Sequence, residues 1–368
     1  MASKKKHWLE PPQHSLASIS GHEILKTYLE SAIEGDMLPH ALLFHGPKGV
    51  GKLSMAYGLA KRLNCRLSAQ ADCKCSACRK ISEGSFADIL LVEPRGAAGQ
   101  ITLAGWKPGK DDPDNVQYYR FIDSRPLEGT CKIIIIRMAE RMNIAFANHI
   151  LKLMEEPPSY LKLVLTTHRR NDLLATIRSR CAPVKFSPLP LDAMQKLAAS
   201  ILGEPATSPE VGIMARLSDG RPGQLATVSD ESNSARRAEI ARLMKQFQTY
   251  GFISLFRTAS DLQEVFEGGR TSGATGQEAA ESILYSLTAW LRDAALSKSL
   301  PPDLANRLLI HSDQKAALSD FSEKLPLDAI LRSSQCIQDY LSMVGRQMDR
   351  SFILESLLMQ LGRAMRPS

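Results

Sequence analysis

In the first half of the chain short continuous apolar runs alternate with stretches whose apolar positions recur every three to four residues. Short apolar runs over 41–44, 89–92, 132–136 and 161–166 have the length and branched-residue content of buried strands. Helical patterns occupy 22–33, 52–63 and 143–156. In the last, Ile144, Ala147, Ile150, Leu151 and Met154 share one face, and Pro157 with Pro158 stops the run. Strands alternating with helices predict a parallel sheet covered by helices on its faces. The Gly- and Pro-containing stretch 95–114 is predicted to be an exposed loop.

Beyond Pro188 and Pro190 the strand signals disappear and helical periodicity runs to the C-terminus. Three short helices are expected at 191–202, 209–217 and 223–228. Longer ones follow from about 232, broken by the Gly-rich 268–276 and by Pro301 and Pro302. The expected architecture is an α/β core over 1–187, a small helical lid over 188–230 and an all-α domain over 231–368. No short repeat period is visible.

Composition agrees with this division. A chain of 368 residues divides into two or three domains at roughly 150 residues each, and 44% hydrophobic with 23% charged residues is the balance of a folded globular protein, not a disordered one. The net charge of +7 favours an anionic partner only weakly. No apolar run approaches the ~18 residues that cross a bilayer, and the basic opening Met-Ala-Ser-Lys-Lys-Lys has no apolar signal core after it, so a cytoplasmic protein without membrane contact is expected. Of seven cysteines, Cys65, Cys73, Cys75 and Cys78 fall close together while Cys131, Cys181 and Cys336 stand alone. That distribution points to metal chemistry, not to a disulfide framework.

The segment Gly46-Pro-Lys-Gly49-Val-Gly51-Lys52-Leu53-Ser54 lies between a predicted strand and a predicted helix, the context of a P-loop. Glycines there let backbone N–H groups surround phosphates, and Lys52 reaches the terminal ones. The hydroxyl expected directly after the lysine, which holds Mg²⁺, is replaced by Leu53; Ser54 is one position late and about 100° round the helix. A second strand would supply the metal-holding acid, yet 132–136 is followed by Arg137-Met138-Ala139-Glu140. Glu140 lies three residues late and reads as a solvated charge. Whether nucleotide binds stays open; hydrolysis is not expected.

Together with this loop, the chain 39–46, the cysteine cluster, Arg125-Pro-Leu-Glu-Gly129, Leu153-Met-Glu-Glu-Pro-Pro158 and Ala175-Thr-Ile-Arg-Ser-Arg-Cys181 resemble, in order, the delta-prime subunits of bacterial DNA polymerase III, members of the clamp-loader AAA+ family. Trp290-Leu-Arg-Asp293 and 349–355 are similar to the family's collar domain. The resemblance implies an AAA+ core, a lid and a helical collar. It further implies gamma/tau-type motor and delta-type partners, and a role in loading a sliding clamp on primed DNA. Motor subunits carry Asp-Glu where Arg137-Met138 stands here, and a hydroxyl where Leu53 stands. The lid arginine of the family's pattern corresponds to a glycine in Gly220-Arg-Pro-Gly223. These departures suit the catalytically silent member. The resemblance makes Arg180 of Ser179-Arg180-Cys181 an arginine finger acting on a nucleotide held by a neighbour, with Arg178 the less favoured substitute. Thr166 or Thr167 matches the sensor position and reads as a structural hydroxyl.

The spacing Cys65-x7-Cys73-x-Cys75-x2-Cys78 supplies four soft ligands, enough for a closed tetrahedral zinc site. The family shows one more residue between the second and third cysteines, so reduced thiols or a three-ligand site remain the other readings. Glu155 and Glu156, adjacent on a helix that is about to end, read as structural, and Arg169 with Arg170 as loop charges within reach of DNA or a neighbour. No Ser/His/Asp or Cys/His nucleophile stands out. Two other functions compete: a motor-type ATPase in which Ser54 and Glu140 replace the missing groups, and a zinc-containing nucleic-acid-binding protein on a P-loop fold.

Overall fold

The computed structural model describes residues 15–67, 73–95, 99–102, 121–225, 239–245, 276–311, 314–343 and 350–364. Most of the predicted loop 95–114, the middle of the cysteine segment (68–72), the end of the third lid helix (226–228) and the Gly-rich 268–275 lie outside them. The chain divides into two compact units, residues 1–193 with 220–223, and 194–219 with 224–368.

In the first unit, β1 (Ala41–His45), β2 (Ile89–Val92), β3 (Lys132–Ile136), β4 (Leu161–Thr167) and β5 (Ala182–Lys185) form one sheet in the order β2-β3-β4-β1-β5. Every pairing is parallel. β1, first in sequence, lies between β4 and β5, so the chain leaves it to one side and returns to the other. The loop after β1 therefore sits where parallel sheets place their ligand crevice. β5 was not legible as a strand because it is a four-residue edge with Pro183 in it, and an edge tolerates a proline that a central strand does not.

β3 is buried at every position, and alternation divides it between the sheet's two faces. Ile133 and Ile135 join Leu42, Phe44 and Val164 in a cluster that includes Leu29 of α1 (Glu23–Glu34) and Met55 and Leu59 of α2 (Lys52–Asn64). Ile134 and Ile136 join Leu43, Leu163 and Leu165 against Phe146, Ile150 and Met154 of α4 (Ile144–Glu155) and Ile177 of α5 (Ala175–Arg180). Each such buried side chain is worth roughly 1.5–3 kcal/mol. α3 (Ser76–Glu83) follows the cysteine segment, and Asn143 caps α4 by accepting the Phe146 N–H at 2.8 Å.

A polar frame fixes the approach to β3. Asp88, fully buried, accepts the backbone N–H groups of Leu127, Glu128 and Gly129 at 2.7–2.8 Å. Asn64 Oδ1 accepts those of Thr130 and Cys131 at 2.9 and 3.2 Å. A Cβ on Gly129 would lie 2.1 Å from that same Oδ1, which explains the glycine closing Arg125-Pro-Leu-Glu-Gly129. The motif is a turn wrapped around a buried carboxylate. Lys132, also buried, donates to the Phe121 carbonyl at 2.7 Å and to Ser124 Oγ at 2.5 Å.

The second unit is helical. It holds most of α6 (Leu191–Leu202), then α7 (Pro209–Leu217), α8 (Gly276–Ser299), α9 (Pro302–Leu308), α10 (Lys315–Lys324), α11 (Leu327–Met343) and α12 (Arg350–Ala364). Instead of a helix starting at Gly223, a 3-10 turn spans Pro222–Gln224. Leu287, Trp290, Leu291, Phe321, Ile337 and Leu357 share one core. Buried Asp293 accepts the His311 backbone N–H at 2.7 Å and lies 2.9 Å from its Nδ1, so the collar-like motif Trp290-Leu-Arg-Asp293 is a core fixture. No described helix is long and apolar enough to cross a membrane.

Candidate functional site

β1 ends at His45, and the next turn is possible only with glycine: φ is +148° at Gly46, +84° at Gly49 and +103° at Gly51. A Cβ on Gly46 would come within 2.2 Å of the Phe186 carbonyl oxygen. Gly51 caps α2, whose first residue is Lys52. The Lys52 ammonium donates to the carbonyls of Gly46 and Pro47, both at 2.6 Å. Burial pushes its pKa down to about 8, against the resistance of the Glu140 carboxylate. Leu53 packs on the apolar cluster between α2 and the sheet, so the position of a metal-binding hydroxyl is occupied by core. The Gly223 N–H donates to the Gly49 carbonyl at 2.8 Å, which lays the Gly220-Arg-Pro-Gly223 segment directly on this loop.

The expectation of a solvated Glu140 is corrected by the structure. Its side chain is only 3% exposed and approaches His168 Nδ1 at 2.6 Å. The 3-10 turn Ala139–Arg141 after β3 folds the carboxylate inward, a reversal that no periodicity announces. Burial works against the carboxylate, yet His168 and then Thr167 outweigh it and hold its pKa below the ordinary value. Arg137, standing where a catalytic acid is expected, pairs with Glu93 at 3.2 Å. Thr166 and Thr167 are buried; Thr166 Oγ1 donates to the Ile136 carbonyl at 3.5 Å and Thr167 Oγ1 accepts the Arg169 N–H at 3.0 Å.

The Ser-Arg-Cys turn is anchored below and open above. Ile177 and Cys181 are buried in the core, and burial pushes the Cys181 thiol up to about 12, which leaves it an inert apolar anchor. Arg180, the last residue of α5, is 38% exposed. Its Nη1 donates to the Thr176 carbonyl at 3.2 Å and its Nη2 to Glu155 Oε1 at 2.7 Å.

The four clustered cysteines do converge. Cys65 follows α2, Cys75 caps α3 and accepts the Cys78 N–H at 3.5 Å, and all four Sγ atoms lie within 4.8 Å of one another. Cys65 Sγ is 3.5 Å from that of Cys73 and 3.8 Å from that of Cys75. Sulfurs held about 2.3 Å from a zinc ion at tetrahedral angles are about 3.8 Å apart, so the donor set fits zinc in chemistry and in size. A Lys80–Glu128 ion pair ties α3 to the turn around Asp88.

Residues 21–190 match the family described as DNA polymerase III, delta subunit. Over 222 residues the chain is 33% identical to DNA polymerase III subunit delta' of Bacillus subtilis, and over 212 residues 31% identical to that of Pseudomonas aeruginosa. These alignments cover 60% and 56% of this chain and 62% and 61% of the relatives. Over residues 21–190 the chain is similar to the delta' and tau subunits of DNA polymerase III. It is also 29% identical to DNA polymerase III subunit tau of Salmonella typhimurium over 62% of its length, and spans 34% of that relative.

Within this core, sequence reasoning singled out the glycine loop, the Ser-Arg-Cys turn and the cysteine cluster, which the fold keeps as separate places. It missed Asp88, Asn64, the inward turn of Glu140 and the pairing of Glu155 with Arg180. A carboxylate directly before a buried strand is the one signal that marked Asp88; the others depend on pairings between elements far apart in sequence.

Proposed function

We propose that the chain is a non-hydrolysing, cytoplasmic clamp-loader subunit that assembles with gamma/tau-type motors and a delta-type subunit. It helps place a sliding clamp on primed DNA, and it donates Arg180 to nucleotide held by a neighbouring motor. The observation that carries this reading is the absence of the metal-binding groups from its own loop: a leucine, Leu53, packed against the core, stands where the hydroxyl would, and Arg137 is paired with Glu93. Without a hydroxyl and an acid to hold Mg²⁺, the loop offers neither charge stabilisation nor a positioned water. Arg180 is exposed, planar in its donor fork and permanently charged, as a group that reaches a partner's phosphate has to be. ATPase and clamp-loading assays on the reconstituted complex test it. Arg180→Ala depresses both while assembly persists; wild-type rates in an assembled Arg180→Ala complex refute the role.

One observation favours the alternative, a motor-type ATPase: Glu140 is buried and acts electrostatically on Lys52. Its engagement by His168 argues against its serving as a water base. Turnover by the purified chain that disappears in Glu140→Gln would establish this alternative.

Cys65, Cys73, Cys75 and Cys78 would hold a structural zinc, with no open ligand position and hence no catalytic chemistry. Elemental analysis of chelator-free protein is expected to give one zinc per chain, lost in Cys75→Ser; well under one zinc in the wild type contradicts it.

A further inference from the structure

The guanidinium of Arg180 is fixed at two points of different kinds. The Thr176 carbonyl belongs to its own helix, one turn back, and moves with it. Glu155 belongs to another element: it is the last residue of α4, which Pro157 and Pro158 follow and whose Phe146, Ile150 and Met154 are at most 3% exposed. Arg180 is long and rotamer-rich, and a single contact on its own helix leaves the donor fork able to swing. The second contact refers the fork to a helix seated on the sheet. Glu156, the next residue, has already left the helix. The pair is open to solvent, 38% exposed on the arginine side and 52% on the glutamate side, so the carboxylate guides the fork without sequestering it from an incoming phosphate. A guanidinium has five N–H donors, and the two contacts leave donors to meet that phosphate.

We propose that Glu155 is the positioning residue for Arg180, holding the guanidinium in the orientation in which it meets a neighbour's nucleotide. This rests on Arg180 acting in trans, and it assigns to Glu155 a role in phosphoryl transfer through another residue. Glu155 touches no nucleotide itself; it raises the fraction of time the fork is aligned.

The test is the DNA-stimulated ATPase of the reconstituted clamp loader carrying Glu155→Ala, Glu155→Gln, Arg180→Ala and the Glu155→Ala/Arg180→Ala pair. Glu155→Ala is expected to lower kcat about threefold with KM for ATP within about twofold of wild type, since alignment matters in the transition state more than in nucleotide binding. Glu155→Gln, which keeps an acceptor oxygen, recovers a large part of that loss. Arg180→Ala lowers kcat further, and adding Glu155→Ala to it changes nothing, as required of a residue acting only through Arg180. Wild-type kcat in Glu155→Ala alongside a depressed Arg180→Ala overturns the positioning role and leaves the trans role standing. A fall of equal size with and without Arg180 also overturns it, because Glu155 would then act by another route. Wild-type kcat in Arg180→Ala removes the trans role and this proposal with it.

Discussion

The loop after β1 and the turn after α5 belong to the same core, and each carries a cation, yet the two are built differently. In the loop, Lys52 is bonded to two carbonyls of its own turn, Leu53 packs against the core, and Gly223 donates to Gly49. In the turn, Ile177 and Cys181 are buried while Arg180 stays exposed, paired only with groups that water also reaches. The difference teaches where selection for a function acts in such a fold. The frame of the loop is held by glycine geometry and sheet packing, whereas the groups that would hold a metal are replaceable if, as proposed, the chemistry is done elsewhere. The arginine stays a cation on a rigid mount, which is all that the proposed donor in trans requires.

The largest expected effect comes from breaking the frame both regions share. Asp88→Ala removes the acceptor of three backbone N–H groups at once, and should cost about 3 kcal/mol of stability in chemical denaturation. A loss under about 0.5 kcal/mol would show that the turn relaxes onto water. A smaller effect comes from inside the closed pocket. Glu140→Gln removes the charge facing His168 and should cost about 1–3 kcal/mol at pH 7. Because the folded-state pKa of Glu140 is depressed below its ordinary 4.5, its contribution is fully present above pH 4.5 and is lost as pH falls through the depressed value. The wild type should therefore lose stability more steeply than Glu140→Gln on acidification below 4.5, and parallel curves would contradict the pairing. The smallest effect belongs to the displayed side. Arg180→Ala should change the stability of the isolated chain by no more than about 0.5 kcal/mol, since a solvent-exposed pair contributes little. A loss of several kcal/mol would make Arg180 a structural residue and erase the contrast.

The core was legible where periodicity carries the information. The all-apolar run at β3 and the one-faced pattern of α4 are direct consequences of burial, and their predicted limits agree with the structure to within a residue or two. β5 was hidden because an edge strand with a proline has neither alternation nor an apolar run. Among site residues, the phosphate loop and the cysteines were legible because local spacing alone encodes them. Glu140 was misread for the opposite reason: its burial is set by a 3-10 turn and by His168, 28 positions further on, which no local pattern connects. Glu155 was read as a helix-end charge, and only the packing of α4 beside α5 gives it Arg180 as a partner.

The central claim is that this chain's own loop is dispensable for turnover while its arginine is not. One measurement sets the two regions against each other: DNA-stimulated ATPase of the reconstituted clamp loader carrying either Lys52→Ala or Arg180→Ala in this subunit alone. The account predicts that the Lys52→Ala complex turns over at the wild-type rate and the Arg180→Ala complex several-fold more slowly, an arginine finger being worth about 10³ to 10⁵ at the one site it serves among several. A complex slowed by Lys52→Ala and untouched by Arg180→Ala would contradict it.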